Sequence, residues 1–417
     1  MTDTASSRHV SLVTAPHSGP APLITHPAEL RAFIASIDPA APIAIDAERA
    51  QSFRYSSKAY LLQFHQAATG THLVDPIALA ESDGLAHLDD LSRAIAGCEW
   101  VLHAASQDLA CLAEVGLVPE RIFDTELAGR LLGLQRVSLS PMLTHYLGIE
   151  LAKAHSADDW SRRPLPSAWL NYASLDVDFL LELRDAVAYD LEQAGKAEWA
   201  RQEFSDVIQR FALPPETDPE RWRGLRGLGR LHQSRELAVA RALWNVRDEL
   251  ARESDIAPGR LVPDTAMVDA AAELARMAVA DIPAKIVTLP GFKGRFCRRN
   301  RHRWSGAVVQ VLAADPSKWP KRSRSRSLPA PRYWDQSYPA AAARWAAARP
   351  AVLAVAEAHS LPPQNLLTVP NLAQIVWPDD ADFSEAGLRT ALAEVQARPW
   401  QCDLLAPALA TALRAVG

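Results

Sequence analysis

At 417 residues the chain exceeds one ordinary core, so two or three domains are expected. Hydrophobic residues at 48% and charged residues at 22% exclude a disordered chain, and no stretch approaches the ~20 apolar residues of a membrane span. The net charge of −5 hides an asymmetry: residues 1–210 carry 28 acids against 16 bases, and residues 211–417 carry 21 against 28.

The basic excess concentrates between Lys285 and Arg332, where 13 Lys and Arg face one acid, Asp315. An acidic half joined to a basic half fits metal-binding or catalytic carboxylates in one place and polyanion contact in another; two solvated faces would give the same pattern. Cys98, Cys111, Cys297 and Cys402 lie far apart, with no CxxC pair and no finger-like His spacing. This argues against a disulfide framework or zinc ribbon and fits a reducing cytosol. No basic segment followed by an apolar run opens the chain, so no secretion signal is expected and the location is read as cytoplasmic.

Residues 1–22, rich in Ser, Thr, Pro and Ala, read as a flexible tail. A helix is expected over Pro27–Ser36, then a buried strand at Pro42–Asp46. Tyr60–Phe64 and Thr71–Asp75 alternate as two further strands, with a hairpin turn over Gln66–Gly70. Trp100–His103 is a fourth strand with a helix after it from Ser106 to Val115. Arg121–Thr125 is a fifth, leading into a helix from Glu126 to Leu132 that Asp124 or Thr125 would cap. One long helix over Pro166–Ala194 closes this α/β unit, expected to span 23–210. Beyond Pro214-Pro215 only helical periods remain. A first helical unit is expected at 218–295, a basic linker and loop at 296–338, and a second helical unit at 339–417. A helix near Ala307–Ala314 is expected inside the linker.

Asp46 and Glu48 sit two apart on a strand, so their side chains leave the same face. A buried acid pair without a counter-charge is costly, which points to a cation between them. Asp108 lies five residues after His103, where a strand gives way to a helix; alone it would simply favour the helix dipole. Tyr172 and Asp176, four apart, share one helix face, as a surface pair also would.

Together, Asp46-x-Glu48, Asp108 with His103 before it, and Tyr172-x-x-x-Asp176 resemble the three motifs of the tyrosine branch of DEDD 3′–5′ exonucleases, and within it the ribonuclease D family. Arg121-Ile-Phe-Asp-Thr-Glu-Leu-Ala128 and Asp159-Trp-Ser-Arg-Arg-Pro-Leu165 agree with it, and the resemblance covers about residues 25–205. Trp222-Arg-Gly-Leu, Leu237–Trp244, Arg247–Leu250 and Pro258–Asp264 resemble the HRDC module, a small helical domain found after ribonuclease D nuclease domains and in RecQ-type helicases. Residues 339–415 read as a diverged second copy.

The resemblance implies a mixed-sheet, RNase H-like α/β exonuclease domain followed by two small all-α HRDC-type domains. It implies two divalent ions, Mg²⁺ or Mn²⁺, bound by Asp46, Glu48, Asp108 and Asp176. Asp46 would bridge both ions, Glu48 and Asp176 would hold the water-activating one, and Asp108 would serve the second. Tyr172 would orient the attacking water, and Glu48 would also reach the terminal 3′-hydroxyl. The implied partners are RNA 3′ ends, with tRNA precursors among them, acted on by a monomer away from any membrane. DNA-directed exonuclease activity, or a non-catalytic RNA-binding scaffold, are the alternatives.

The family commonly carries Asp-Thr-Glu-Phe at the first motif, whereas this chain has Asp46-Ala-Glu-Arg49, so Phe53 or Tyr55 would have to supply the aromatic wall. The pocket walls are expected around Arg49 and Leu61–Phe64. For the RNA body the candidates are Lys293, Arg295, Arg298, Arg299, Arg301 and Arg303, with Lys153, Arg162 and Arg163 near the last motif. Arg322, Arg324 and Arg326 would join this footprint or merely keep their loop solvated. Phe296, Trp304, Trp319 and Trp334 interleave with the basic run; such aromatics are more often core than stacking platforms.

Overall fold

The computed structural model describes residues 10–16, 19–83, 88–152, 157–212, 218–322, 328–414 and 416. Eight strands occur among them: β1 (Ser11–Val13), β2 (Leu23–Ile24), β3 (Ile43–Arg49), β4 (Ala59–Gln66), β5 (Gly70–Val74), β6 (Trp100–Leu102), β7 (Ile122–Asp124) and β8 (Ile149–Leu151). The main sheet runs β2-β5-β4-β3-β6-β7. β3 pairs antiparallel with β4 and parallel with β6, so the apolar run Ile43-Ala44-Ile45 lies buried in mid-sheet. Because β3, β6 and β7 run parallel, their carboxyl ends share one edge, the usual place for a site in such sheets.

The five expected strands and the helix Pro27–Ser36 are present. Three expectations are corrected. The tail is not uniformly flexible: Ser11–Val13 forms β1 and pairs in parallel with β8, while residues 1–9 lie outside those described. The long helix is two, Ser167–Asp178 and Leu180–Gln193, parted at Phe179, and a third follows over Ala197–Phe211. The basic linker is largely helical, at Arg295–Arg299 and Arg301–Ala313. Cys297, Trp304, Val308 and Leu312 are buried there with Trp222, Leu243 and Phe292 in the core of the first helical unit. Trp334 is buried too, so neither Trp304 nor Trp334 offers a stacking surface.

The two helical units share a plan. Each has a long helix (Ser234–Ser254; Pro339–Ala358), then a single turn beginning at proline (Pro258–Leu261; Pro363–Leu366). A shorter helix follows (Asp264–Leu274; Val369–Val376), and later a long closing one (Arg301–Ala313; Pro399–Leu413). A buried arginine of each first helix ties down the chain after it. Arg247 donates to the Val262 carbonyl at 2.8 Å and pairs with Asp264 at 2.7 Å; Arg344 donates to the Val376 carbonyl at 2.8 Å and pairs with Asp379 at 2.7 Å.

The second unit packs on Ala197–Phe211, where Trp400 stacks on Trp199 at 4.7 Å and Arg398 pairs with Glu203 at 2.7 Å. Gly133, at φ +78°, passes so near Ser360 that a Cβ would lie 2.3 Å from its carbonyl oxygen. Cys98, Cys111, Cys297 and Cys402 are free and buried. Among the described residues no helix is long and apolar enough to cross a membrane.

Candidate active site

Three carboxylates converge at the sheet edge. Asp46 and Glu48 come from β3, Asp176 from the helix Ser167–Asp178, and each offers an oxygen within 4.8 Å of the others. Asp108 reaches the same cavity by another route. After β6 the chain turns at Ala104, which is held in the left-handed region at φ 63°. Asp124, at the end of β7, accepts from the backbone N–H groups of Ala104 (3.0 Å) and Ala105 (2.9 Å). It also accepts from Glu126 and Leu127 and so caps the helix Thr125–Leu131. One buried carboxylate thus fixes the turn that delivers Asp108. Burial pushes the Asp124 pKa up to about 6 although backbone donors from Leu127, Ala104 and Ala105 oppose it.

The cavity measures about 360 Å³ and is lined by Asp46, Glu48, Asp108, Tyr172 and Asp176 together with Arg49, Gln51–Phe53, His103 and Gln107. Burial raises the pKa of all four acids, and their mutual repulsion adds to it for Glu48, Asp108 and Asp176. Grouped anionic oxygens without nitrogen or sulfur donors suit a hard divalent cation, and one there would relieve that repulsion. Tyr172 donates a hydrogen bond to Asp176, and its ring lies against Trp160 with centroids 6.5 Å apart. Burial, then the charges of Asp176, Glu48 and Asp46, push its phenol well above the ordinary value. His103 is half-buried, with Nδ1 2.9 Å from Thr125 Oγ1, and desolvation lowers its pKa to about 4, so it stays neutral.

Other expectations fare differently. Leu61, Leu62 and Phe64 are fully buried and do not line the cavity; the loop Ala50–Phe53 does. Phe53 reaches the cavity, whereas Tyr55 turns away to donate to Asp248 at 3.0 Å. Arg163 is committed to Asp75 (2.7 Å) and to the carbonyl of Tyr60 (2.8 Å), and Arg303 to Glu249 (3.0 Å) and Glu253 (2.5 Å). Neither is free for phosphate. Lys293, Arg295, Arg298, Arg299, Arg301 and Arg162 are exposed. Lys153, Arg324 and Arg326 lie outside the described residues.

Two features escaped sequence reading. Arg49 faces Asp108, with Nη2 3.7 Å from Oδ1. The first helical unit also docks on the loop beside the cavity. Arg260 lies over the Phe53 ring at 4.0 Å and donates to the Ser52 carbonyl at 2.7 Å, and the Ala257 N–H donates to the Phe53 carbonyl at 3.0 Å. Asp255 accepts from the Ser56 N–H at 2.9 Å and from the Tyr60 hydroxyl at 3.3 Å. A basic residue within the Pro258–Leu261 turn was the available signal, and it does not name its partner.

A mixed sheet with converging acids at its carboxyl edge and a tyrosine beside them defines a 3′–5′ exonuclease. The family model for 3'-5' exonucleases matches residues 22–192, that for the HRDC domain 236–304, and that for the 3' to 5' exonuclease C-terminal domain 327–413. The chain is 30% identical over 314 residues to ribonuclease D of Nitrobacter hamburgensis, covering 73% of this chain and 78% of that one. It is 30% identical over 297 residues to ribonuclease D of a Jannaschia species, covering 70% and 72%. A solved structure of a protein from Bifidobacterium adolescentis is 33% identical with a TM-score of 0.87, over 97% of this chain and 100% of that one. That of Escherichia coli ribonuclease D, at 21% identity and a TM-score of 0.67 over 94% and 98%, shares the fold. The chain belongs to the ribonuclease D family.

Proposed function

We propose that this chain removes nucleoside 5′-monophosphates one at a time from RNA 3′ ends by two-metal-ion hydrolysis, trimming tRNA precursors and other structured RNAs in the cytoplasm as a monomer. The observation that carries this is the convergence of Asp46, Glu48 and Asp176 within 4.8 Å, in a cavity that Asp108 and Tyr172 also line. Its volume of about 360 Å³ is on the scale of one terminal nucleotide. Asp46, Glu48 and Asp176 would hold one divalent ion, and Asp46 and Asp108 a second. Bound there, Mg²⁺ or Mn²⁺ would supply positive charge to the attacking and leaving oxygens.

The residues themselves do the rest. Tyr172, kept protonated, would orient the water through a hydrogen bond and would not serve as its base; a bound divalent ion would supply the acidity instead. Glu48 would accept from the terminal 3′-hydroxyl, and Phe53, which lines the cavity, would pack the terminal sugar or base. The exposed run from Lys293 to Arg301 would hold the RNA body through its phosphates.

The test is matched RNA and DNA oligonucleotides of one sequence, with products separated by chromatography. The reading predicts nucleoside 5′-monophosphates from RNA at a kcat/KM well above that for DNA. A higher kcat/KM for DNA would favour a DNA-directed enzyme, and binding without turnover a scaffold.

A further inference from the structure

A cation sets the fourth acid apart from the other three. Asp46, Glu48 and Asp176 approach one another within 4.8 Å, whereas Asp108 faces Arg49 at 3.7 Å. Strand alternation would send residue 49 to the face opposite residues 46 and 48. Arg49 is the last residue of β3, and the register shifts there: Glu48 pairs with Leu61 and Arg49 with Ala59, the extra residue Tyr60 lying on β4. At this irregular strand end Arg49 lines the acidic cavity together with Asp46 and Glu48. Its side chain is 21% exposed and that of Asp108 is 7% exposed, so solvent screens the pair poorly. Arg49 makes no second ion pair among the described residues. Its charge also acts on Asp46 and Glu48, opposing the upward push that burial gives both.

We propose that Arg49 is an internal counter-ion for Asp108, holding the Asp46–Asp108 subsite against its divalent ion so that the two ions bind with unequal affinity. The inference rests on the site reading above and deepens it. A guanidinium keeps its proton throughout the working range, so it competes as a fixed charge. An ion entering between Asp46 and Asp108 must displace Arg49 or sit beside it, and either outcome weakens binding. Among the described residues, the subsite formed by Asp46, Glu48 and Asp176 has no such competitor at contact distance. At limiting metal the enzyme therefore holds one ion. An incoming RNA phosphate, which offers Arg49 an alternative partner, would favour loading of the second.

The test is Mn²⁺ binding to the metal-free full-length protein without RNA, followed by calorimetry and by the paramagnetic resonance of free Mn²⁺. Wild type should take one ion tightly and a second at least about 10-fold more weakly. Arg49→Gln should tighten the second by roughly 10-fold and the first by less than about 3-fold, while Arg49→Lys keeps the second weak. Asp108→Asn in the Arg49→Gln background should abolish the gain. An unchanged second affinity in Arg49→Gln, or a gain that survives Asp108→Asn, overturns the role of Arg49 and leaves the site reading intact. Failure of the wild type to bind Mn²⁺, with Asp46→Asn no different, overturns both. Thermal unfolding of each variant verifies that it is folded.

Discussion

The hydroxyl of Tyr172 points into a group of carboxylates that hold its proton on. Burial, then Asp176, Glu48 and Asp46, raise its pKa, so at working pH it donates and does not accept a proton. Tyr172→Phe should lower kcat on the order of 10²-fold through misplaced water, with KM little changed. The pH–rate profile between 7 and 9.5 should keep its shape in the variant. A rising limb present in wild type and lost in Tyr172→Phe would make the phenol a base and contradict this.

His103 makes a second prediction. Its folded pKa, lowered to about 4 from the usual 6.5, means that unfolding takes up a proton once the pH falls below 6.5. The stability from keeping it neutral is present above 6.5 and is lost as the pH falls toward about 4. Between pH 7 and 4.5 wild type should lose about 2–3 kcal/mol more unfolding free energy than His103→Gln. Urea titrations at both pH values measure this, and parallel losses would contradict it.

At the scale of elements, the loop that follows β3 depends on the helical unit docked against it. Arg260 backs Phe53 with a flat cation and pins Ser52. Arg260→Ala should leave the fold and kcat near wild type, raise KM about 3–10-fold, and speed amide exchange across residues 51–56. An unchanged KM would show that the loop orders itself.

What the sequence makes legible follows the same physics. β3 announces itself because Ile43 and Ile45 are buried while Asp46 and Glu48 end the run on one face. The helix of Tyr172 and Asp176 shows its spacing directly. The break at Phe179 carries neither Gly nor Pro and leaves no local mark. Residues 296–306 read as linker because their many cations mask Cys297 on one short helix and the start of the next, whose face carries Trp304, Val308 and Leu312; only its end, near Ala307–Ala314, shows a helical period. β1 is three residues long, too short for any period. Arg49 reads as a lost aromatic; that it faces Asp108 from the last position of β3, where the register shifts, has no mark in the local sequence.

Across the whole molecule, acid and base are divided between the site and the first helical unit. Lys293, Arg295, Arg298, Arg299 and Arg301 stand exposed, while Arg303 is locked between Glu249 and Glu253. Changing the five exposed residues to Gln should weaken RNA binding equally for all sequences and flatten the slope of log K against log salt by up to about 3.5, while kcat at saturating RNA is kept. Arg303→Gln alone should leave that slope within about 0.3. Fluorescence anisotropy across a salt series measures both, and an unchanged slope in the five-fold variant would place the RNA elsewhere.

The central claim, that half-buried carboxylates at the end of β3 trim RNA from its 3′ end, is tested most directly with a 5′-labelled single-stranded RNA. It is incubated with Mg²⁺, Mn²⁺ or EDTA, beside Asp46→Ala. The account predicts a ladder shortening by one nucleotide at a time from the 3′ end with either ion, absent in EDTA and in the variant. RNA left intact by wild type and variant alike, yet bound equally by both, would contradict it.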